Sequence, residues 1–372
     1  YLQLSGSYVN KSKYVRVEVI ETTYNYLDSN GNLRLGDFTG SLPANGSGSY
    51  GGSFSGGSDG DVQHPQLFYQ NISNTNTQGL NLGTAAYGKT AYEDAIKLLS
   101  NQDEYDINLL LLPGLVDNYT NHATILAKAV QMCEDRGDCF TVVDPVAYGS
   151  SISEATTQAE SYDSSYAAMY YPWLQVYDSA VGNYVWTPPS TLVPGAYAFN
   201  DQVAAEWFAP AGLNRGTLDS VVQAERKLTH ANRDSLYDGN INPIATFPTS
   251  GVTIYGQKTL QKKASALDRV NVRRLLIAAK KFIASATRFL VFEQNTSATR
   301  NRFLNIVNPY LESVQQRQGL YAFKVVMDST NNTPDVIDRN QMVGQIFLQP
   351  TKTAEFIIVD FNILPTGAAF PE

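Results

Sequence analysis

Polar and apolar residues alternate near the start of the chain, and a long polar stretch follows. The segment YVRVEVI, residues 14–20, alternates β-branched with polar residues, which predicts a half-buried strand. Residues 39–63 consist largely of Gly and Ser and cannot bury enough apolar surface to form a helix or a central strand. We therefore predict that residues 1–84 form a strand-rich segment with a long Gly/Ser-rich loop, at the end of an N-terminal region.

From Thr90 onward, helical patterns alternate with short apolar runs. This alternation is typical of a parallel sheet whose strands are joined by crossover helices, and it predicts an α/β domain over residues 85–260. The predicted helices cover residues 90–100, 121–137, 151–162 and a stretch after Pro194 that ends near Pro210, and the predicted strands cover 105–114, 139–145 and 167–178.

The last third of the chain has a different pattern. Two long helical patterns cover residues 268–292 and 297–317, and three strand patterns follow at 320–328, 341–349 and 354–364. Helices followed by strands indicate an α+β module, which we assign to residues 261–372. The chain is thus predicted to be a multidomain protein of the α/β plus α+β class.

The first of these long helices carries an uneven distribution of charge. At 100° per residue, Arg269, Arg273, Lys280 and Arg288 lie on one side, the apolar residues lie opposite, and no acidic residue interrupts the stretch. We call these four residues the basic stripe. Such a stripe is most often a solvated face, and the alternative is a docking face for an acidic partner.

Composition and charge limit the classes of function. The 372 residues are 43% hydrophobic and 17% charged, which excludes wholesale disorder, and no run of 18 apolar residues occurs that could span a membrane. The net charge of −8 disfavours general nucleic-acid binding. Residues 1–210 contain 8 basic and 22 acidic residues, a net −14, and residues 211–372 contain 19 and 13, a net +6. This asymmetry can indicate a basic surface for an acidic partner, or a subunit whose acidic end meets a neighbour's basic end, with chance drift between domains as the alternative.

Few residues in the sequence suggest a disulfide framework or a metal-binding site. Cys133 and Cys139 are too few for a disulfide framework and are expected to be buried free thiols, and the three His residues show no metal-ligand spacing. We therefore expect no cofactor and no metal. Because the chain begins at Tyr1 without an initiator Met, we expect further N-terminal residues to precede it.

One segment matches a nucleotide-binding motif. Residues 83–90, GTAAYGKT, fit the P-loop pattern, in which Lys89 would neutralise phosphates and Thr90 would hold magnesium, with Asp144 as a second magnesium ligand. A P-loop needs an apolar strand directly before its first Gly, but the segment before Gly83 is polar and rich in Asn. A P-loop NTPase using Gly83 to Thr90 therefore remains only the alternative function.

Three weaker motif matches have simpler explanations. The GxSxG match at residues 56–60 and the GxGxxG match at 46–51 both lie in the Gly/Ser-rich loop, without the strand and helix that these motifs need. The tripeptide Arg136-Gly137-Asp138 falls at a predicted helix end, where Gly is an ordinary C-terminal cap. None of the three predicts a function.

An ordered series of segments resembles the tail sheath protein of contractile-tailed bacteriophages. The resemblance runs along most of the chain and rests on the series rather than on any one member. The segments are residues 54–60 (FSGGSDG), 91–114, 139–145 (CFTVVDP), 170–173 (YYPW), 186–201 (WTPPSTLVPGAYAFND), 207–216, 242–260, 267–276 (LDRVNVRRLL) and 325–361.

The resemblance implies a structural subunit rather than an enzyme. Its fold would be a subtilisin-like α/β domain without a catalytic triad, followed by a C-terminal domain of helices and a small sheet. Since none of the three His residues lies in a setting suited to a Ser-His-Asp triad, a protease is not expected. The implied function is to polymerise around the tail tube and to contract, driving the tube through the host envelope for genome delivery.

The same resemblance implies partners and a location. The partners would be further copies of the chain in stacked hexameric rings, the tail tube protein, and the baseplate and tail terminator proteins, with no direct nucleic-acid contact and no membrane insertion. The location would be the contractile tail of the virion, with assembly in the host cytoplasm.

Two sets of residues become candidates for these contacts. In the family the C-terminal domain lies beside the tube, so Arg269, Arg273, Lys280 and Arg288 are expected to face outward from that domain toward the tube.

In the C-terminal segment EFIIVDFNI both faces are apolar, which predicts a strand that needs cover on both sides. The family links its subunits by exchanged strands, so this segment is expected to complete a neighbour's sheet through Phe356, Ile357, Ile358, Val359 and Phe361.

Overall fold

A parallel sheet organises the first part of the computed structural model, which describes residues 70–355 except 79–80, 85, 180–181 and 249. Its strands are, in their order across the sheet, β1 (Leu109–Val116), β2 (Phe140–Asp144), β3 (Ala167–Tyr171), β7 (Ile241–Phe247) and β8 (Gly251–Ile254). The first four strands are parallel, and β8 is antiparallel to β7.

Helices cover both faces of this sheet. Strands β2 and β3 are buried throughout, as expected for parallel strands with a helical layer on each side. On one face, Val143 and Met169 share a core with Ile125 and Leu236. The helices on that face are α1 (Tyr87–Leu99), α2 (Thr120–Arg136), α3 (Ile152–Ala159) and α5 (His230–Asp238). On the other face, Tyr170 packs with Tyr197 of α4 (Val193–Val203). The predicted alternation of helices and strands is confirmed.

The predicted strand at 167–178 is wrong as a single element. Pro172 has no backbone N–H, so the ladder of β3 ends at Tyr171 and the chain moves to a different sheet. There β4 (Leu174–Asp178) is the middle strand of an antiparallel sheet between β5 (Asn183–Thr187) and β6 (Val221–Ala224).

The helix predicted to end near Pro210 ends earlier, at Val203. The buried side-chain amide of Asn200 donates to the carbonyl oxygens of Ala205 at 2.9 Å and of Phe208 at 3.2 Å. These bonds satisfy backbone groups that no longer belong to a helix, and they hold the chain in a turn after α4.

The last third contains two long helices and a two-stranded ribbon. The helices α6 (Val270–Thr287) and α7 (Ser297–Gln316) are followed by β9 (Leu320–Val326), the short helix α8 (Pro334–Asp338) and β10 (Gln345–Pro350). Strands β9 and β10 pair only with each other among the described residues. The third predicted strand, 354–364, lies outside the described residues beyond Glu355, as do the predicted strand 14–20 and the Gly/Ser-rich loop.

Helix α6 connects the two parts of the fold. Its Val270 and Ile277 belong to the core on the α4 side of the parallel sheet, whereas Leu275 belongs to a separate core with Val307 and Leu311 of α7.

In the part of the chain that the structure describes, no helix is long and apolar enough to cross a membrane.

Candidate functional site

The basic stripe does not form a single outward face, because α6 is covered by the α/β part of the same chain as well as by α7. Arg273 is only 6% exposed. Its guanidinium lies 4.0 Å from the ring centroid of Tyr166, and it donates a hydrogen bond to the hydroxyl of Ser165. Burial lowers the pKa of Arg273. The prediction that Arg273 faces outward is therefore wrong.

Arg269, at the other end of the stripe, is bound to the end of the described chain. It precedes α6 as its N-cap residue, and its Nε and Nη2 atoms donate to the two carboxylate oxygens of Glu355 at 2.7 and 3.0 Å. Asp268 lies 3.1 Å from the same guanidinium. Arg269 is therefore largely engaged within its own subunit.

The remaining two stripe residues are exposed. Arg288 forms an ion pair of 2.7 Å with Asp103, in which both side chains are more than 70% exposed. Lys280 is exposed near Gly137, whose backbone lies at the end of α2. Of the four predicted tube-facing residues, Lys280 and Arg288 are the ones that the structure leaves most open to a partner.

Two further cations on α6 are paired with acidic residues of the α/β part. Arg274 forms a bidentate pair with Asp201, and Lys281 contacts Asp106 and the carbonyl oxygen of Ile107. Their partners, like Asp103, belong to the acidic first 210 residues. Ion pairs within one subunit therefore neutralise part of the charge asymmetry between the two halves of the sequence.

Sequence reasoning missed a polar cluster around Glu355. The hydroxyl of Tyr237 donates to Glu355 at 2.6 Å, and the side-chain amide of Gln257 donates to it at 3.2 Å. Burial raises the pKa of Tyr237. No local motif marks these residues, since they come from α5, from the segment after β8 and from the segment after β10.

The P-loop match does not have the geometry of a P-loop. Among residues 70–84 that the structure describes, no strand leads into Gly83, and Lys89 lies inside α1 at 4.0 Å from Glu93. Asp144 is fully buried and accepts hydrogen bonds from the amide and hydroxyl of Ser190 at 2.9 and 2.5 Å. Burial raises the pKa of Asp144 to about 7. Asp144, the proposed second magnesium ligand, is therefore engaged with Ser190 inside the protein.

A second buried carboxylate lies beside Asp144, at the carboxyl edge of the parallel sheet. Asp117 follows β1 and accepts a hydrogen bond of 2.5 Å from the hydroxyl of Tyr162. Its amide donates to the carbonyl oxygen of Asp144 at 2.9 Å. Burial raises the pKa of Asp117 to about 6. Both carboxyl groups are thus structural hydrogen-bond acceptors in the interior.

The described His residues are not placed for catalysis. At His122, Nδ1 accepts from the amide of Val116 at 3.0 Å and Nε2 donates to the carbonyl oxygen of Ser73 at 2.7 Å, so both ring nitrogens serve the backbone. His230 is exposed and contacts Asp234 at 2.8 Å. Within the described ranges, no group of three or more His, Cys, Asp and Glu side chains could hold a metal ion.

The predictions for the cysteines and for the helix end are confirmed. Cys133 and Cys139 are both buried and free. Gly137 ends α2 at a φ of 68°, a left-handed conformation that favours glycine. The guanidinium of Arg136 donates to both carboxylate oxygens of Asp138, at 2.8 and 2.9 Å, and its side chain is almost fully buried. The tripeptide is therefore a cap rather than an exposed recognition motif.

The ribbon of β9 and β10 exposes aromatic side chains on one of its faces. Tyr321 on β9 is 65% exposed and Phe347 on β10 is 56% exposed. Because no other described strand pairs with the ribbon, its outer backbone edges have no strand partner within residues 70–355. A two-stranded ribbon with exposed aromatic residues is suited to accept further strands. The five predicted linking residues lie outside the described residues; they are Phe356, Ile357, Ile358, Val359 and Phe361.

Comparison with known proteins gives consistent matches. A family model described as the phage tail sheath protein central domain matches residues 86–260, and one described as the phage tail sheath C-terminal domain matches residues 262–364. The tail sheath protein of Vibrio phage KVP40 is 42% identical over 50% of this chain and 28% of its own length. That of Enterobacteria phage T4 is 31% identical over 75% of this chain and 45% of its own length. The chain thus spans less than half the length of these relatives.

Solved structures of similar fold come from related contractile assemblies. The helical sheath of the anti-feeding prophage in its contracted state has a TM-score of 0.61 at 26% identity, covering 80% of both chains. The sheath complex of the PVC extracellular contractile injection system, also contracted, has a TM-score of 0.62 at 29% identity, covering 72% of this chain and 74% of the other. With two consecutive family models matched in order, the chain belongs to the family of phage tail sheath proteins.

Proposed function

We propose that this chain is a structural subunit of a contractile tail sheath. It polymerises around a tail tube in stacked hexameric rings and contracts to drive the tube through the host envelope for genome delivery. The observation that carries this proposal is the pair of consecutive sheath-domain matches over residues 86–364. Its partners are other copies of the chain, the tube protein, and the baseplate and tail terminator proteins. It acts in the virion tail after assembly in the host cytoplasm.

The arrangement of the described residues is compatible with a mechanical rather than a chemical role. The residues of the motif matches within residues 70–355 have structural roles: Gly137 caps α2, Asp144 is a buried hydrogen-bond acceptor, and Lys89 and Arg136 form ion pairs. We further propose that the α/β domain is subtilisin-like without a triad, a label supported by its parallel sheet with helices on both faces. No observation favours the P-loop NTPase.

Two contact surfaces belong to this proposal. Residues Phe356, Ile357, Ile358, Val359 and Phe361 add a strand to the β9–β10 ribbon of a neighbouring subunit, which the open edges of that ribbon support. Lys280 and Arg288 face the tube, because they are the stripe residues that remain exposed.

Electron microscopy of the full-length protein tests the proposal. With purified tail tube as template and no nucleotide present, we expect long tubular polymers of regular diameter. ATP-dependent particles that are lost in a Lys89→Ala variant would instead support the NTPase. Only monomers in the presence of tube would contradict the sheath function.

A further inference from the structure

The five residues after β10, Thr351 to Glu355, cross from the ribbon to the α/β part of the fold. We call them the strap. At its start, Thr351 is still held to the ribbon side, because its amide donates to the carbonyl oxygen of Gly319 at 3.2 Å and its hydroxyl donates to that of Gln318 at 2.7 Å. Two residues later the strap contacts the α/β domain instead, because the hydroxyl of Thr353 accepts a hydrogen bond from the side-chain amide of Gln257.

Glu355 ends the strap in a polar clamp built by three separate segments. Arg269 at the start of α6 binds both carboxylate oxygens, Tyr237 of α5 donates its hydroxyl at 2.6 Å, and Gln257 donates at 3.2 Å. The Glu355 side chain is 18% exposed and Gln257 is 3% exposed, so water competes poorly for these bonds. A bidentate pair of this kind is among the stronger and more directional contacts between side chains.

The register of the ribbon shows why such a clamp matters. Pro350 pairs with Leu320, so the strap leaves the ribbon at the same end at which α7 enters it. A pull on the chain beyond β10 would therefore open the two strands from that end, one pair of hydrogen bonds at a time. One face of the ribbon packs on α7, but this packing does not share the load among the hydrogen bonds of the ladder, which joins a single pair of strands in the described fold.

We propose that Glu355 is a mechanical anchor that transfers tension on the C-terminal segment to the α/β domain and keeps that tension from the β9–β10 ribbon. This proposal rests on the proposed function in one respect, namely that residues 356–372 link the subunit to a neighbour under tension. With the clamp closed, that tension is carried by Arg269, the N-cap residue of α6, and by Tyr237 of α5, whose bonds with Glu355 must break together. The ribbon then stays intact to receive a neighbour's strand while its own C-terminal segment is pulled.

Single-molecule force spectroscopy on the full chain tests the anchor without requiring polymer formation. One handle is attached at a Ser153→Cys site on the exposed side of α3 and the other at the C-terminus; Cys133 and Cys139 do not react because both are buried. We expect a distinct rupture event before the ribbon opens, and we expect Glu355→Ala to lose it. Lys352→Ala, at an exposed position of the strap, should retain the event.

A second variant keeps the test decisive where Glu355→Ala does not fold. Glu355→Gln retains an oxygen for the Tyr237 hydroxyl but removes the ion pair with Arg269, so we expect a lower rupture force than in the parent. Identical rupture forces in the parent and in each folded Glu355 variant would overturn the proposal.

Assembly experiments separate this proposal from the proposed function. We expect Glu355→Ala subunits to form polymers of normal length around the tube, and those polymers to fragment when contraction is triggered. Parent chains that do not polymerise would contradict the sheath function and leave the force result standing. Glu355→Ala polymers that contract without fragmenting, to the same extent as parent polymers, would overturn the role of Glu355 as a mechanical anchor.

Discussion

Arg274 and Asp201 form a bidentate ion pair that fastens helix α6 to helix α4, with nitrogen–oxygen distances of 2.9 and 2.5 Å. The Arg274 side chain is 9% exposed and its guanidinium also lies 4.8 Å from the ring centroid of Tyr197. The buried guanidinium of Arg274 needs the carboxylate of Asp201 as its counter-charge, because few water molecules can reach it in the interior. The pair is therefore a structural contact between the α/β part and the C-terminal part.

Removing one partner of this pair should destabilise the fold. We expect Asp201→Ala to lower the free energy of unfolding by about 1–3 kcal/mol, because it leaves the buried Arg274 guanidinium without its hydrogen-bond acceptor. Denaturation in urea, followed by circular dichroism, measures the change. The matched control is Asp103→Ala, which removes the exposed partner of Arg288 and should leave stability nearly unchanged. Equal losses in the two variants would contradict the structural role of the Arg274 pair.

The buried carboxyl groups of Asp117 and Asp144 should make stability depend on pH. Burial raises the pKa of Asp117 to about 6 and that of Asp144 to about 7, above the value of 3.8 for an exposed Asp. The folded state therefore binds more protons than the unfolded state between about pH 4 and pH 7. The stabilisation from these groups is complete below pH 4 and is lost as pH rises through the folded pKa values.

An Asp144→Asn variant isolates this contribution. Because an amide does not ionise, we expect the variant to lose less stability than the parent between pH 5 and pH 8, with each unit of pKa shift equivalent to about 1.4 kcal/mol. Urea denaturation at several pH values measures the two slopes. Asp94→Asn, on the outer side of α1, is the control and should keep the parental slope. A parental slope in Asp144→Asn would show that this carboxyl group does not titrate in the range.

Much of the α/β part could be predicted because the sequence patterns that mark its helices and strands are local. The buried runs of β2 and β3 and the helical spacing of α2 appear in the sequence within ten to twenty residues, so no knowledge of the tertiary structure is needed. The break at Pro172 was missed although proline weakens a strand prediction, and the pairing of β4 with β6 could not be predicted because β6 lies more than forty residues further along the chain. Strand β7 was missed because Pro243 within it weakens a strand prediction.

The candidate site was harder to predict than the fold. A helical projection shows which residues of α6 share a side, but it does not show that two separate cores contact that helix. Arg273 was therefore expected at the surface although it is buried against Tyr166. The clamp at Glu355 escaped prediction for a related reason, since its donors Tyr237 and Gln257 are about one hundred residues away in sequence.

Gly319 should be intolerant of a side chain. A Cβ atom at this position would lie 2.6 Å from Cγ1 of Val314 and 3.1 Å from the ring of Trp207. We expect Gly319→Ala to destabilise the protein by roughly 1–3 kcal/mol through overpacking, as measured by urea denaturation. Gly195→Ala is the control, because a Cβ atom there meets nothing within 4 Å and Ala favours a helix. A destabilisation in Gly195→Ala as large as that in Gly319→Ala would contradict this steric explanation.

Charge reversal at the two exposed stripe residues should weaken assembly around the tube. Individual exposed ion pairs contribute about 0–1 kcal/mol and weaken with salt, so a combined Lys280→Glu and Arg288→Glu variant is needed. We expect it to form fewer tube-templated polymers than the parent, and we expect the number of its polymers, counted by electron microscopy, to depend less on salt concentration than that of the parent. Arg273→Lys is the contrasting variant, because a buried residue should change stability without changing that salt dependence. Unaltered assembly of the double variant would exclude Lys280 and Arg288 as tube contacts.

Removal of residues 356–372 should separate folding from linkage between subunits. The deletion keeps Glu355 and its contacts with Arg269 and Tyr237, so we expect the unfolding midpoint of the monomer to stay close to that of the parent. The open β9–β10 ribbon would then lack the strand that a neighbour supplies, so we expect only short or no polymers on a tube template. Analytical ultracentrifugation and electron microscopy measure the two properties. A synthetic peptide of residues 354–364, added in excess to the parent, should occupy the ribbon and shorten its polymers by competition. Normal polymers from the deleted chain would show that these residues do not link the subunits.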